Sequence, residues 1–481
     1  MARNKKSNYL IKNTLLLILS SFGSKILSFL LVPLYTNILS TAEYGIADLI
    51  TTTAALLMYI FTLNIETSVL RFGLDENEKK DRVLAYAVQI VVIGTCIVSV
   101  VTFFVSLFRI FEWPNYCYPI LVIVFFLDSI HTIITNYLRA IDKVKHMAFG
   151  GVLETVGRLT TNIIVLVYLK WGLFGFLISL IVGPVLRIVY SVYFILPLRK
   201  SKIDRVYEKR LHKEMRLFSI PTIFSQLAWW INNSLDRYFI ICLKGYALNG
   251  VYAVSYKIPN IMAILCNIFG QAWGISAIKE FDKDDSDGFF SNTYRLFNTS
   301  LVVACSFLIL INIPVSKLLY AKEFFEAWKY ASLLIVAMMF SGLSSFFSGI
   351  FFSVKKNTIF ALTTVIAAII NTVLNALLIP QFGAMGAAVA TVVSFYSAWL
   401  SRVIASKKYV NIKISIIRDH IVYLLLILQI IFEHFENHFY FGQIVIVLIV
   451  CIFNYKDIRK VLCKGIQAIN NRLGIKRKEE E

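Results

Sequence analysis

Charge is what this sequence has least of. Asp, Glu, Lys and Arg make up 16% of its 481 residues, against about 25% in soluble domains. With 58% hydrophobic residues and a mean hydropathy of +0.71, water is excluded as the main solvent. No G-x-x-x-x-G-K-[ST] segment occurs, which removes a P-loop and any sign of direct ATP use. The seven cysteines, at 96, 117, 242, 266, 305, 451 and 463, form no C-x-x-C pair. That excludes a disulfide frame or a thiolate metal site and leaves small apolar fillers. A cleavable leader is missing too. The basic start (Arg3, Lys5, Lys6, Lys12) enters an apolar run too long for an h-region, with no A-x-A site, so it reads as a retained first span.

What is there is hydrocarbon in span-sized pieces. A helix needs about 20 apolar residues to cross a bilayer. Fourteen candidate runs lie near 13–38, 46–70, 83–108, 117–138, 146–169, 172–196, 215–243, 249–275, 293–319, 330–353, 358–379, 384–405, 417–433 and 439–455. The charges test this arrangement. With the N-terminus inside, 36 of the 48 lysines and arginines fall in cytoplasmic segments and 6 in the opposite loops, as the positive-inside rule requires. The net charge of +19 then reports cytoplasmic loops, not a nucleic-acid partner. Both termini are expected in the cytoplasm.

The chain also repeats itself. Residues 140–175 lie over 351–386 at an offset of 211, placing Gly172 on Gly383 and Gly175 on Gly386. Further upstream, 43–50 lie over 248–255 at an offset of 205, with Gly45 on Gly250. Each unit holds six spans, an even number, so the copies share one orientation. Transporters built from such parallel repeats place substrate between the halves. The expected fold is an all-α integral membrane protein of about 14 transmembrane helices, two pseudo-symmetric six-helix bundles plus two extra helices. The expected divisions are 1–198 (first bundle), 199–214 (basic linker), 215–406 (second bundle), 407–460 (helices 13 and 14) and 461–481 (charged cytoplasmic tail).

Ionisable residues inside these runs are the candidate site, because a charge at the bilayer centre costs roughly 2.5–3.5 kcal/mol on insertion scales. Lys25 sits near the midplane. Glu66 and Arg71 lie at the inner end of span 2, Asp128 mid-span 4, Glu154 and Arg158 in the inner half of span 5. Asp236 and Arg237 occupy the outer half of span 7, and Lys257 precedes Pro259 in span 8. Structural readings compete. Glu154 and Arg158, four residues apart, can satisfy each other on one helix face. Arg71 can snorkel to the interface, and Arg187 can support a kink at Gly183-Pro184. Glu66 falls on Gln271 at the 205-residue offset, which suits a shared cavity. The acidic turn DKDDSDG (282–288) fails the register of a calcium loop, and EHFENH (433–438) lacks the H-E-x-x-H glutamate; both read as polar turns. No cofactor or metal is expected.

GSKILSFLLVPLYTNILSTAEYGIADLI (23–50) followed by LNIETSVLRFGLD (63–75) resembles the start of the polysaccharide-biosynthesis flippases. These are the Wzx-type oligosaccharide-lipid flippases, of the superfamily that includes the multidrug/toxin exporters and the lipid II flippases. The resemblance implies transfer of an undecaprenyl-diphosphate-linked oligosaccharide across the bacterial cytoplasmic membrane. It implies two bundles rocking between open states, basic cavity residues and, often, an ion gradient. Lys25 fits the basic lining of span 1, and Arg71 takes the Arg-Phe position. From depth, Arg158, Arg237 and Lys257 join them as substrate contacts, with Glu66, Asp128 and Asp236 as sites for H+ or Na+. The partners expected are the lipid-linked glycan, the bilayer and a polysaccharide polymerase, with the chain itself a monomer. A multidrug exporter, a membrane-embedded polymerase or ligase, and an uncoupled scramblase are the alternatives.

Overall fold

The computed structural model describes residues 29–195, 204–435, 439–460 and 463. Every described candidate run from residue 46 onward forms helix, because an apolar segment satisfies its backbone polar groups only within itself. The elements are α1 (Val32–Ile38), α2 (Thr41–Phe61), α3 (Ile65–Gly73), α4 (Lys80–Leu107), α5 (Cys117–Ala140), α6 (Val144–Asn162), α7 (Gly172–Ile195), α8 (Arg205–Lys244), α9 (Tyr246–Ser255), α10 (Asn260–Lys279), α11 (Phe289–Leu319), α12 (Trp328–Ser353), α13 (Asn357–Phe382), α14 (Ala384–Ser406), α15 (Ile416–His434) and α16 (Tyr440–Phe453). Among the described residues, ten helical segments are long and apolar enough to cross a membrane.

Three boundaries differ from the sequence expectation. Span 2 breaks into α2 and α3 at Leu63 and Asn64, both at positive φ (54° and 50°), where Thr62 turns its hydroxyl back onto the Met58 carbonyl. Span 8 breaks into α9 and α10 just before Pro259, whose missing N–H cannot continue the ladder. Span 7 starts ten residues early. Asp204 accepts hydrogen bonds from the Val206 and Tyr207 amides, an N-cap that extends α8 to 40 residues. Its basic first turns are therefore helix rather than linker.

The chain divides into two compact units, residues 1–253 with 319–324, and residues 254–318 with 325–481. The division falls within α9. In the first unit, Ser40 and Glu43 close a capping box at the start of α2. Ile65, Val69, Val83, Tyr86, Ile133, Tyr137, Leu211 and Met215 form a core where α3, α4, α5 and α8 meet. The outward face of α4 exposes Val92, Ile93, Val100, Phe103 and Phe104, an apolar surface of the kind that faces lipid.

In the second unit α12 is central and almost wholly buried. The two extra helices are fastened to it and to α11 by a polar ladder. Its rungs are Ser306–Gln429 (2.7 Å), Asn298–Tyr423 (2.9 Å) and Thr299–Asn454 (3.2 Å). At its end Asp457 pairs with Arg295 (2.7 Å) and Arg418 (3.2 Å).

Repeat-equivalent positions do equivalent work. Gly172 and Gly383 both take positive φ (54° and 56°) where α7 and α14 begin, a conformation that favours glycine. Gly45 and Gly250 face each other. A Cβ on Gly45 would lie 2.0 Å from the Tyr246 carbonyl oxygen, and one on Gly250 would lie 1.9 Å from that of Thr41. α2 and α9 thus cross with backbone against backbone, as small residues permit between membrane helices.

Replacing Gly250 with Val forces this crossing apart, and overpacking of this kind costs about 1–3 kcal/mol or more. The variant is expected to melt several degrees lower in detergent. Gly270→Ala is the control: open space surrounds Gly270, so its melting temperature is expected to stay level or rise.

Candidate functional site

The ionisable residues of the first unit collect on three adjoining helices. On α5, Asp128, His131 and Thr135 recur at three- and four-residue spacing and share a face. On α6, Glu154 and Arg158 are one turn apart. On α7, Arg187 follows Gly183 and Pro184. Gly183 lets α6 and α7 close up: a Cβ there would stand 2.9 Å from the Glu154 carbonyl oxygen and 3.3 Å from Arg158 Cβ. Gly150 leaves room for the Arg187 stem, its virtual Cβ 3.2 Å from Arg187 Cγ.

Glu154 is the hub. Its Oε2 accepts from Arg187 Nη1 at 2.9 Å and lies 3.7 Å from His131 Nε2; its Oε1 accepts from Arg158 Nη2 at 3.4 Å. Arg187 Nη2 donates to Thr135 Oγ1 at 2.9 Å. Asp128 and Tyr35 lie within electrostatic range of Arg158, and Asn162 donates to the Tyr35 hydroxyl at 2.9 Å. The cluster is not sealed, for the Arg158 side chain keeps 33% of its exposure and Glu154 keeps 18%. Two guanidiniums thus converge on one carboxylate, and the guanidinium fork is the group that pairs with planar or tetrahedral oxyanions.

The second repeat supplies an internal comparison. Moved by 211 residues, α5, α6 and α7 fall on α12, α13 and α14. Arg402, one turn beyond the position matching Arg187, again bridges three helices. Its Nε donates to Thr363 (3.0 Å), Nη1 to Ser344 Oγ and O (2.6 and 3.1 Å), and Nη2 to Thr364 (2.7 Å) and the Phe360 carbonyl (3.4 Å). It is 3% exposed, lies 3.8 Å from the Phe360 ring centroid, and has no carboxylate within ion-pair distance among the described residues. All its N–H donors are occupied. Arg402 is thus a buried staple between helices.

The other expected residues are placed as follows. Asp236 and Arg237 join a network that the sequence did not connect to Asp48. Asp48 lies 2.8 Å from Arg237 Nε, and the Tyr252 hydroxyl donates to Asp236 at 2.6 Å. Asp236 is 1% exposed, so the adjacent pair divides: the aspartate is packed and the arginine bridges. Glu66 is buried beside α5, where Asn136 donates to its backbone carbonyl (3.0 Å); Gln271, its counterpart by offset, is exposed. Arg71 is exposed at the end of α3, and Lys257 is half-buried at the α9–α10 break of the second unit. Lys25 lies outside the described residues, as does His438 of the EHFENH motif.

Glu433 corrects the reading of that motif as a polar turn. It is fully buried, accepting from Asn312 Nδ2 at 2.8 Å and from the Ser332 hydroxyl. The DKDDSDG segment is a self-capped turn. Asp282 accepts from the amides of Asp284 (3.1 Å) and Ser286 (2.8 Å) and from the Ser286 hydroxyl (2.6 Å), which holds its carboxyl below the usual range. No metal-holding group of His, Cys, Asp and Glu occurs among the described residues. His131, Asp48 and Glu433 escaped the sequence reading. A lone histidine in an apolar run was the visible signal for the first. The other two sit near span ends, where charge is ordinary.

Comparison with known proteins agrees with this architecture. A family model described as "Polysaccharide biosynthesis protein" matches residues 10–274. An uncharacterized membrane protein of Methanocaldococcus jannaschii is 20% identical over 416 residues, 82% of this chain and 97% of that one. Among solved structures, the lipid II flippase MurJ in an inward closed conformation superposes with a TM-score of 0.67. Its identity is 14%, with 92% of this chain and 99% of that chain covered. An inward-facing multidrug resistance MATE family transporter of the MOP superfamily gives 0.57 at 13% identity, covering 80% and 98%. At these identities the likeness is one of fold.

The two arginines are expected to part company on truncation. Arg402→Ala strands buried acceptors on three helices and should destabilise by about 3 kcal/mol. Arg158→Ala breaks a half-exposed pair and should cost at most about 1 kcal/mol. Thermal melting of the purified variants checks both.

Proposed function

The chain belongs to the polysaccharide biosynthesis protein family, and on that premise we propose that it is a flippase. Its cargo is an undecaprenyl-diphosphate-linked oligosaccharide repeat unit, a precursor of capsule, O-antigen or exopolysaccharide. The unit crosses the bacterial cytoplasmic membrane by alternating access, coupled to H+ or Na+. The observation that carries this reading is the accessible Arg158–Glu154–Arg187 cluster, set against the sealed Arg402 of the second repeat. A structural role alone is served without a carboxylate and without exposure, as Arg402 demonstrates.

A sugar diphosphate cannot cross hydrocarbon unaided, since each unpaired polar group costs several kcal/mol there. In this reading Arg158 and Arg187 receive the diphosphate, Lys25, Arg71, Arg237 and Lys257 contribute along its route, and the polyprenyl tail remains in lipid. Glu66, Asp128 and Asp236 are the coupling candidates. The two six-helix repeats are the moving bodies, the chain works as a monomer, and a polysaccharide polymerase takes the product. A multidrug exporter of the same superfamily is the second reading. Paired guanidiniums in an accessible cluster disfavour cationic drugs, which weighs against it.

In cells lacking the protein, complete polyprenyl-diphosphate repeat units are expected to accumulate on the cytoplasmic face. Lipid extraction with face-selective labelling measures this. Complete units reaching the outer face unpolymerised would point to a polymerase instead, and an unchanged pool to the exporter.

A further inference from the structure

We infer that Glu154 is a built-in competitor for the anionic ligand of its own site, occupying Arg158 and Arg187 when the site is empty and yielding them to diphosphate. The inference rests on the flippase reading and refines it.

Three observations lead there. First, the carboxylate engages both guanidiniums at once, one through each oxygen, at 3.4 and 2.9 Å. Guanidinium recognises carboxylate and phosphate oxygens with the same planar fork, so Glu154 holds the place that two phosphate oxygens would fill. Second, the site is open: Arg158 and His131 keep 33% and 25% of their side-chain exposure, so a ligand can reach the pair without unfolding a helix. Third, an arginine can join helices of this arrangement without a carboxylate. The second repeat joins the matching helices through Arg402 with hydroxyl and carbonyl acceptors alone.

The physical logic is one of charge balance. Two arginines without counter-charge inside the membrane are costly. Glu154 compensates them and keeps both pre-positioned. A diphosphate brings more negative charge than one carboxylate and displaces it, and the freed carboxylate swings toward His131, already 3.7 Å away. Asp128 of α5 faces the same cluster and adds to the competition. Because the ligand binds only the fraction of molecules with free guanidiniums, its apparent affinity falls by that fraction. For a carrier this is useful, since cargo held too tightly would never be released on the far side.

The test is titration of the purified full-length protein with inorganic pyrophosphate, comparing wild type with Glu154→Gln. The glutamine variant is expected to bind about tenfold more tightly, as removal of a competitor engaged nine-tenths of the time requires. Glu76→Gln, at an exposed position in the turn before α4, is expected to shift affinity less than twofold, which separates competition from a general change in charge. Melting curves verify folding. Should Glu154→Gln melt early, Glu154→Asp, whose shorter arm cannot span both arginines, is expected to tighten binding in the same direction. Pyrophosphate binding that is equal or weaker in the Glu154 variants overturns the inference and leaves the flippase reading standing. So does failure of every variant to bind, because the flippase reading is decided by the face on which the lipid-linked units accumulate.

Discussion

An ionised group inside hydrocarbon must find a counter-charge, a full set of hydrogen-bond partners, or water. Much of the interior of this protein is a response to that constraint, and three different responses are visible. Glu154 gathers two arginines and leaves the group partly open. Arg237 is held between Asp48 and Asp236, with Tyr252 completing the aspartate. Arg402 spends every donor on hydroxyls and carbonyls and is closed from solvent. Only the last of the three is sealed: Arg402 is closed off, whereas the Glu154 and Arg237 groups keep part of their exposure.

Duplication makes this distinction readable within one molecule. The three helices that carry Glu154, Arg158 and Arg187 recur as α12, α13 and α14, with a guanidinium again bridging them. One copy has kept neutral acceptors; the other presents a carboxylate and a second arginine to an open face. Glycines maintain the geometry of both copies. Gly172 and Gly383 start the sixth helix of each repeat at positive φ, and Gly183 brings the α6 and α7 backbones close enough for their charges to meet.

The extra pair of helices shows the same economy. Hydrophobic area gives little preference for one membrane helix over lipid. α15 is held by polar rungs along its length, through Tyr423, Gln429 and Glu433, and α16 is anchored just past its C-terminal end by Asn454 and Asp457. These rungs supply direction and register where apolar contact cannot.

Local physical chemistry was enough to settle the class of this protein. Runs of about 20 apolar residues must be helices in a bilayer, and the 211-residue offset brings α5, α6 and α7 onto α12, α13 and α14. The helix breaks at Leu63–Asn64 and before Pro259, and the capping extension of α8, are local too, yet hydropathy averages over them. The partners of each charge were beyond its reach. Glu154 and Arg158 are neighbours in sequence, but Arg187 joins them from 33 residues away and Asp48 meets Arg237 across more than 180 residues of chain. Glu433 looked like part of a surface turn until packing buried it. A residue's type and depth follow from the chain alone. Whether its charge is paired, sealed or left facing a ligand depends on which helices pack beside it, and only the tertiary structure decides that.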